Sequence, residues 1–95
     1  MIHLVMYDIS DDKTRRRIAD RLADLGLIRT QFSVFVGTIE PNRVDELALF
    51  AEESLEEQDR LYILPMTREN LANSRQVGRG IDEQLVANET LTQVI

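Results

Sequence analysis

Cysteine is absent from the 95 residues, which rules out a disulfide framework, a thiolate metal site and a cysteine nucleophile. Histidine occurs once, at His3, so no histidine pair is available as a metal-ligand set. Proline occurs twice and glycine four times, and no stretch is repetitive or low in complexity. Nothing marks an interdomain linker, and the length fits one domain. Long apolar runs are also missing. Met1 to Tyr7 is the opening apolar stretch and Asp8 closes it. It is too short to span a bilayer and has neither a basic leader nor a cleavage site, so a soluble, cytoplasmic protein with no membrane partner is expected. A chain of this size buries only about two-thirds of the surface its unfolded form exposes. Dimerisation would add core.

What is present in excess is acid, with a formal net charge of -6. Taken whole, that opposes nucleic-acid binding, which usually leaves a basic footprint. The distribution changes the picture. Residues 1–37 carry six cations and five anions, residues 38–66 two and eight, and residues 67–95 three and four. The first third is therefore locally basic. Ten of the eleven cations are arginine, whose planar fork suits phosphate; a general preference for arginine codons explains the same bias.

The pattern of elements reads as α+β. Ile2–Tyr7 has the continuous apolar character of a strand covered on both faces. Ser10, Asp11 and Asp12 are N-cap candidates for a helix whose apolar positions are Ile18, Leu22 and Leu25, ended by Gly26. Leu27–Ile39 alternates in part, as one half-buried strand or as two short strands joined by a tight bend. In the single-strand reading Phe32, Val34 and Val36 share one face, and Arg29, Gln31, Ser33 and Phe35 the other. Pro41 opens a second helix with Val44, Leu47, Ala48, Ala51 and Leu55 on its apolar stripe and five glutamates opposite. Leu61–Met66 is a further strand whose Pro65 indicates an edge or an end. Thr67–Asn73 reads as polar turn, and Thr90–Ile95 as a short strand. The order is βαββαβ, the ferredoxin-like arrangement, with a core over residues 1–66 and an extension over 67–95 that packs on the core or on a partner subunit.

Asp8 is the most informative acid. It closes a buried strand just before a helix, facing the crevice at the strand's carboxyl end, where open sheets often bind ligands. Magnesium takes six oxygens but commonly only one or two protein carboxylates, so a twofold dimer would supply a pair. The plainer reading is that Asp8 caps the helix or forms a turn. Lys13, Arg15, Arg16 and Arg17 crowd the first turns of that helix, where the helix dipole disfavours cations. They read either as a phosphate-binding face or as a solvated face neutralised by Asp11, Asp12, Asp20 and Asp24. Arg29, Gln31, Ser33 and Phe35 suit a nucleotide surface or a dimer interface, for which Phe35 is a large anchor. Ser33 has no base in sight. His3, Tyr7 and Tyr62 read as core, the tyrosines with hydroxyls at the rim.

Met6-Tyr7-Asp8-Ile9-Ser10-Asp11-Asp12 before an arginine-rich helix, together with Gln31-Phe32-Ser33-Val34-Phe35 and Leu61–Asn70, resembles the CRISPR-associated protein 2 family over residues 2–70. Phe32 stands where the family more often has tyrosine. The resemblance implies a ferredoxin-like homodimer, often with a C-terminal strand crossing to the partner. It implies an aspartate, here Asp8, facing its twin across the twofold axis and holding magnesium or another divalent cation. Arginines that matter in some members match Arg15, Arg17 and Arg29, and the aromatic closing the second motif matches Phe35. Some members are described as metal-dependent endoribonucleases or as nucleases on double-stranded DNA, others as a non-catalytic bridge between copies of the CRISPR integrase. The expectation is a nucleic-acid-binding homodimer in antiviral defence, with endonuclease activity of low rate because no general base is evident. Its rivals are a pure adaptor on the integrase and a ferredoxin-like regulatory module.

Overall fold

The structure, a computed structural model, describes residues 1–87. Its elements are β1 (Ile2–Asp8), α1 (Asp12–Asp24), β2 (Ile28–Gln31), β3 (Val34–Thr38), α2 (Pro41–Ser54), β4 (Arg60–Met66), α3 (Arg68–Asn73) and α4 (Glu83–Ala87). The sheet order is β2-β3-β1-β4 with every neighbour antiparallel. That is the ferredoxin-like βαββαβ arrangement.

Alternation along β1 divides the side chains between two faces. Val5 and Tyr7 enter the core under the helices with Ile18 and Leu22 of α1, Phe35 of β3, and Leu47 and Ala51 of α2. The apolar stripes of both helices thus meet one face of the sheet, as their spacing predicts. Ile2 and Val36 lie on the other face, where Leu71 of α3 and Val86 of α4 cover them. The Thr38 hydroxyl donates to the Val86 carbonyl at 2.9 Å, so through Ala87 the extension packs on its own sheet. The strand expected over Thr90–Ile95 lies outside the described residues.

The return from α1 to β2 depends on two glycines. Gly26 has φ of 87°, a left-handed conformation that side chains disfavour, and it ends α1. Gly37 lets β3 approach the preceding loop, since a Cβ there would fall 2.7 Å from Leu27 Cδ2.

Several expectations need correction. Residues 28–38 form a hairpin, the second of the two readings. Arg29 pairs with Phe35, but a register shift follows and Gln31 pairs with Val34, which moves Gln31 off the Arg29 face. Phe32 sits in the turn between the strands. The supposed turn Thr67–Asn73 is largely helix α3. The Thr67 hydroxyl accepts from the Asn70 N–H at 3.0 Å, and Asn70 Oδ1 accepts from the Thr67 N–H at 3.3 Å. This reciprocal cap starts a helix that buries only Leu71, too little to leave a periodic signal. Tyr62 is exposed on the open face of edge strand β4 and takes no part in the core.

Candidate functional site

Two consecutive residues of β1 reach two different places. Tyr7 points to the helix side and Asp8 to the open side of the sheet.

The helix-side place is a groove between the start of α1 and the β2–β3 turn. Asp11 caps α1, its Oδ2 accepting from the Thr14 N–H at 2.9 Å and the Thr14 hydroxyl at 3.0 Å. These bonds, the backbone one foremost, hold the Asp11 carboxyl below the usual aspartate range. Asp8 is therefore not the cap. Arg15 is ion-paired with Asp12 and donates to the Ile9 carbonyl at 3.0 Å, so its position against the helix dipole is compensated locally. Arg29 Nε donates to the Phe32 carbonyl at 3.0 Å, and its Nη2 to the Tyr7 hydroxyl at 3.4 Å. Its guanidinium lies 5.2 Å from the ring centroids of both Phe32 and Phe35. Asp12, Arg15, Arg16, Ala19, Asp20, Arg29 and Phe32 line the groove, which encloses about 320 Å³.

The structure brings Arg15 and Arg29 together here and leaves Arg17 out. Arg17 lies 5.6 Å from the Phe50 ring centroid of α2 and Arg21 lies 3.9 Å from it, so these two face the other helix. Phe35 is 3% exposed and stacks on Tyr7 with centroids 6.4 Å apart. It fills the core of its own chain and offers no surface to a partner, a correction to its reading as an interface anchor. Ser33 sits in the hairpin turn, its carbonyl accepting from the Tyr7 N–H at 3.1 Å. That bond continues the β1–β3 pairing and assigns Ser33 a backbone role.

The open-side place is a shallow depression of about 200 Å³ lined by Met6, Tyr7, Asp8, Arg60 and Tyr62. Asp8 is exposed, ends β1 and stands opposite Arg60 in the β1–β4 register. The loop after it is tied on both sides. Arg15 holds the Ile9 carbonyl, and the Ser10 N–H donates to Asp59 Oδ1 at 3.2 Å. Asp59 Oδ2 in turn accepts from the Glu56 N–H at 3.0 Å. The carboxylate of Asp8 is thus presented from a fixed backbone. A single chain does not complete a metal site: among the described residues no group of three or more His, Cys, Asp or Glu side chains converges. The donor chemistry fits a hard cation only as one carboxylate from each of two copies, with water filling the other positions. His3 is no base for this site. It is buried toward the far end of β1, with Nδ1 2.9 Å from the Met1 carbonyl.

Asp59 escaped the sequence reading, Arg16 was named only within the basic helix start, and Phe32 only within its motif and the alternating pattern. Arg16 was one of three adjacent arginines with no sign of which way each pointed. Phe32 fitted the alternating pattern with Val34 and Val36. Asp59 reaches Ser10 across 49 positions in sequence, which leaves no local trace. The hairpin alternative was the one available signal, because it puts Phe32 at a turn with no core to enter.

No helix among the described residues is long and apolar enough to cross a membrane. Residues 1–74 match the family described as CRISPR associated protein Cas2. The chain is 36% identical over 78 residues to a CRISPR-associated endoribonuclease Cas2 of Korarchaeum cryptofilum, covering 81% of this chain and 84% of that one. It is 44% identical over 48 residues to a CRISPR-associated endonuclease Cas1/endonuclease Cas2 fusion of Thermoproteus tenax, covering 50% of this chain and 18% of the fusion. The solved structure of Streptococcus pyogenes Cas2 superposes with a TM-score of 0.70 at 23% identity, covering 82% of this chain and all of that one, a likeness of fold. A ferredoxin-like sheet, an aspartate at the end of β1 and a family match spanning both sites place this chain in the CRISPR-associated protein Cas2 family.

Proposed function

We propose that this protein acts in CRISPR-based defence in the prokaryotic cytoplasm as a homodimer that binds nucleic acid and hydrolyses phosphodiesters with magnesium. The observation that carries the reading is Asp8: an exposed carboxylate at the end of β1, before a loop tied down on both sides, with no group of three or more ligand side chains among the described residues. Two copies related by a twofold axis would bring two such carboxylates together. Without a cation they would repel, each disfavouring the other's ionisation. A magnesium ion there would polarise a phosphodiester and acidify a water molecule. The chain's own contribution is the placement of Asp8, the binding of flanking phosphates by Arg15, Arg16 and Arg29, and the screening of charge by Arg60. With His3 buried toward the far end of β1, no imidazole serves as base at Asp8, and slow cleavage is expected.

The test is cleavage of labelled single-stranded RNA and double-stranded DNA, in magnesium and in EDTA, by wild type and Asp8→Asn. The reading requires cleavage that needs both the metal and Asp8. The same experiment addresses a second reading, a non-catalytic adaptor on the CRISPR integrase. The fusion relative, whose name joins an endonuclease Cas1 and an endonuclease Cas2 in one chain, supports a Cas1 partner under either reading. The adaptor reading predicts cleavage no greater than that of Asp8→Asn, with nucleic acid still bound.

A further inference from the structure

We infer that the groove between α1 and the β2–β3 turn receives one unpaired nucleotide, with its base on the Phe32 ring and its phosphates on Arg15, Arg16 and Arg29. The inference rests on the nucleic-acid reading above and adds to it the residue that contacts a base.

Phe32 is 73% exposed, the most exposed aromatic ring among the described residues. It is nevertheless held in place. Arg29 bonds its carbonyl and sits over its ring, so the same guanidinium fixes the turn and lies against the side chain. An exposed ring that is already positioned loses little freedom when a base stacks on it. Base stacking on aromatic side chains is indifferent to sequence, but it needs a base face that is not already stacked in a helix. A duplex presents phosphates and groove edges and leaves this ring unused.

The charge balance supports stacking as the deciding term. Three arginines and two aspartates line the groove, for a sum of +1, and Asp12 is already paired with Arg15. The whole chain carries -6. Electrostatic attraction at this groove is therefore modest, and a ligand that only presented phosphates would bind weakly. The volume of about 320 Å³ is at the small end for ligand sites, suited to one nucleotide and not to a duplex.

The chain contains no tryptophan, so Phe32→Trp would introduce its only indole, at the proposed stacking position. This variant is titrated with single-stranded RNA and DNA octamers and with a blunt duplex of the same sequence. Affinity and oligomeric state are measured in parallel for wild type, Phe32→Ala and Phe32→Tyr. Quenching of the indole by single strands and not by the duplex is expected. Phe32→Ala should weaken single-strand binding about tenfold, with an unchanged salt dependence, and Phe32→Tyr should restore it. Equal quenching by duplex and single strand, or wild-type affinity in Phe32→Ala, overturns the inference and leaves nucleic-acid binding standing. So does a change in oligomeric state without a change in affinity. If wild type binds none of the probes even at low salt, both the inference and the nucleic-acid reading fall.

Discussion

The two sides of β1 make different demands on the rest of the molecule. On the helix side the groove is built within one chain: a capped helix start, a hairpin turn and an arginine bonded to both Tyr7 and Phe32. On the open side Asp8 ends a strand whose following loop is tied down, and among the described residues no group of three or more ligand side chains converges. Binding elements can be assembled by a small domain alone, because phosphate recognition needs only a few donors on adjoining elements. Divalent-metal chemistry needs several oxygens at one point, and among the described residues of one chain no three ligand side chains converge. On this account the groove belongs to the chain and the metal corner to the pair. Arg15 links them, since it lines the groove and holds the carbonyl of Ile9, next to Asp8.

The sharpest way to break this division is Asp8→Asn. Removal of the proposed metal ligand should lower the cleavage rate by about a hundredfold or more, while affinity for nucleic acid stays within about twofold, measured by single-turnover cleavage and fluorescence anisotropy. Equal losses in rate and affinity would merge the two sites. Arg16→Ala should show the converse. Affinity should fall several-fold for every nucleic acid bound, the slope of affinity against salt should drop by about one, and cleavage at saturation should be kept. Arg17→Ala sharpens the contrast, because Arg17 packs on Phe50 and not on the groove. It should leave affinity unchanged and lower stability by about 0.5 kcal/mol, readable by urea denaturation. The smallest expected effect concerns Asp11. Its carboxyl titrates below the ordinary aspartate range, so its cap on α1 is fully present above that range and is lost as pH falls through the lowered value. The difference in melting temperature between wild type and Asp11→Ala should be constant at neutral pH and shrink below about pH 4.

Much of the fold was legible because each signal was local. The apolar run of β1, the 3.6-residue spacing of Ile18 and Leu22, the break at Gly26 and the start at Pro41 each need only a few neighbours to interpret. Asp8 was legible too, from its place at the end of a buried strand. What escaped depended on three-dimensional packing. Arg15, Arg16 and Arg17 are adjacent in sequence, but one helical step of about 100° decides whether each meets the hairpin or α2, and that depends on which flank of α1 the second helix occupies. Phe35, read as a surface or interface anchor, is core, and Phe32 stands exposed at the tight bend that was one of the two readings of this segment. The shift of register after Arg29 sends Phe32 to solvent and keeps Phe35 in the core. Helix α3 was hidden because a cap formed by Thr67 and Asn70, and not an apolar stripe, defines its start.

If Asp8 makes half of a metal site, as proposed, a second copy must make the other half. Manganese can stand in for magnesium, and its free concentration can be followed by electron paramagnetic resonance as protein is titrated. A paired site requires one ion bound per two chains, in a sample that sediments as a dimer, and loss of that ion in Asp8→Asn. One ion per chain, or binding that survives Asp8→Asn, would contradict it.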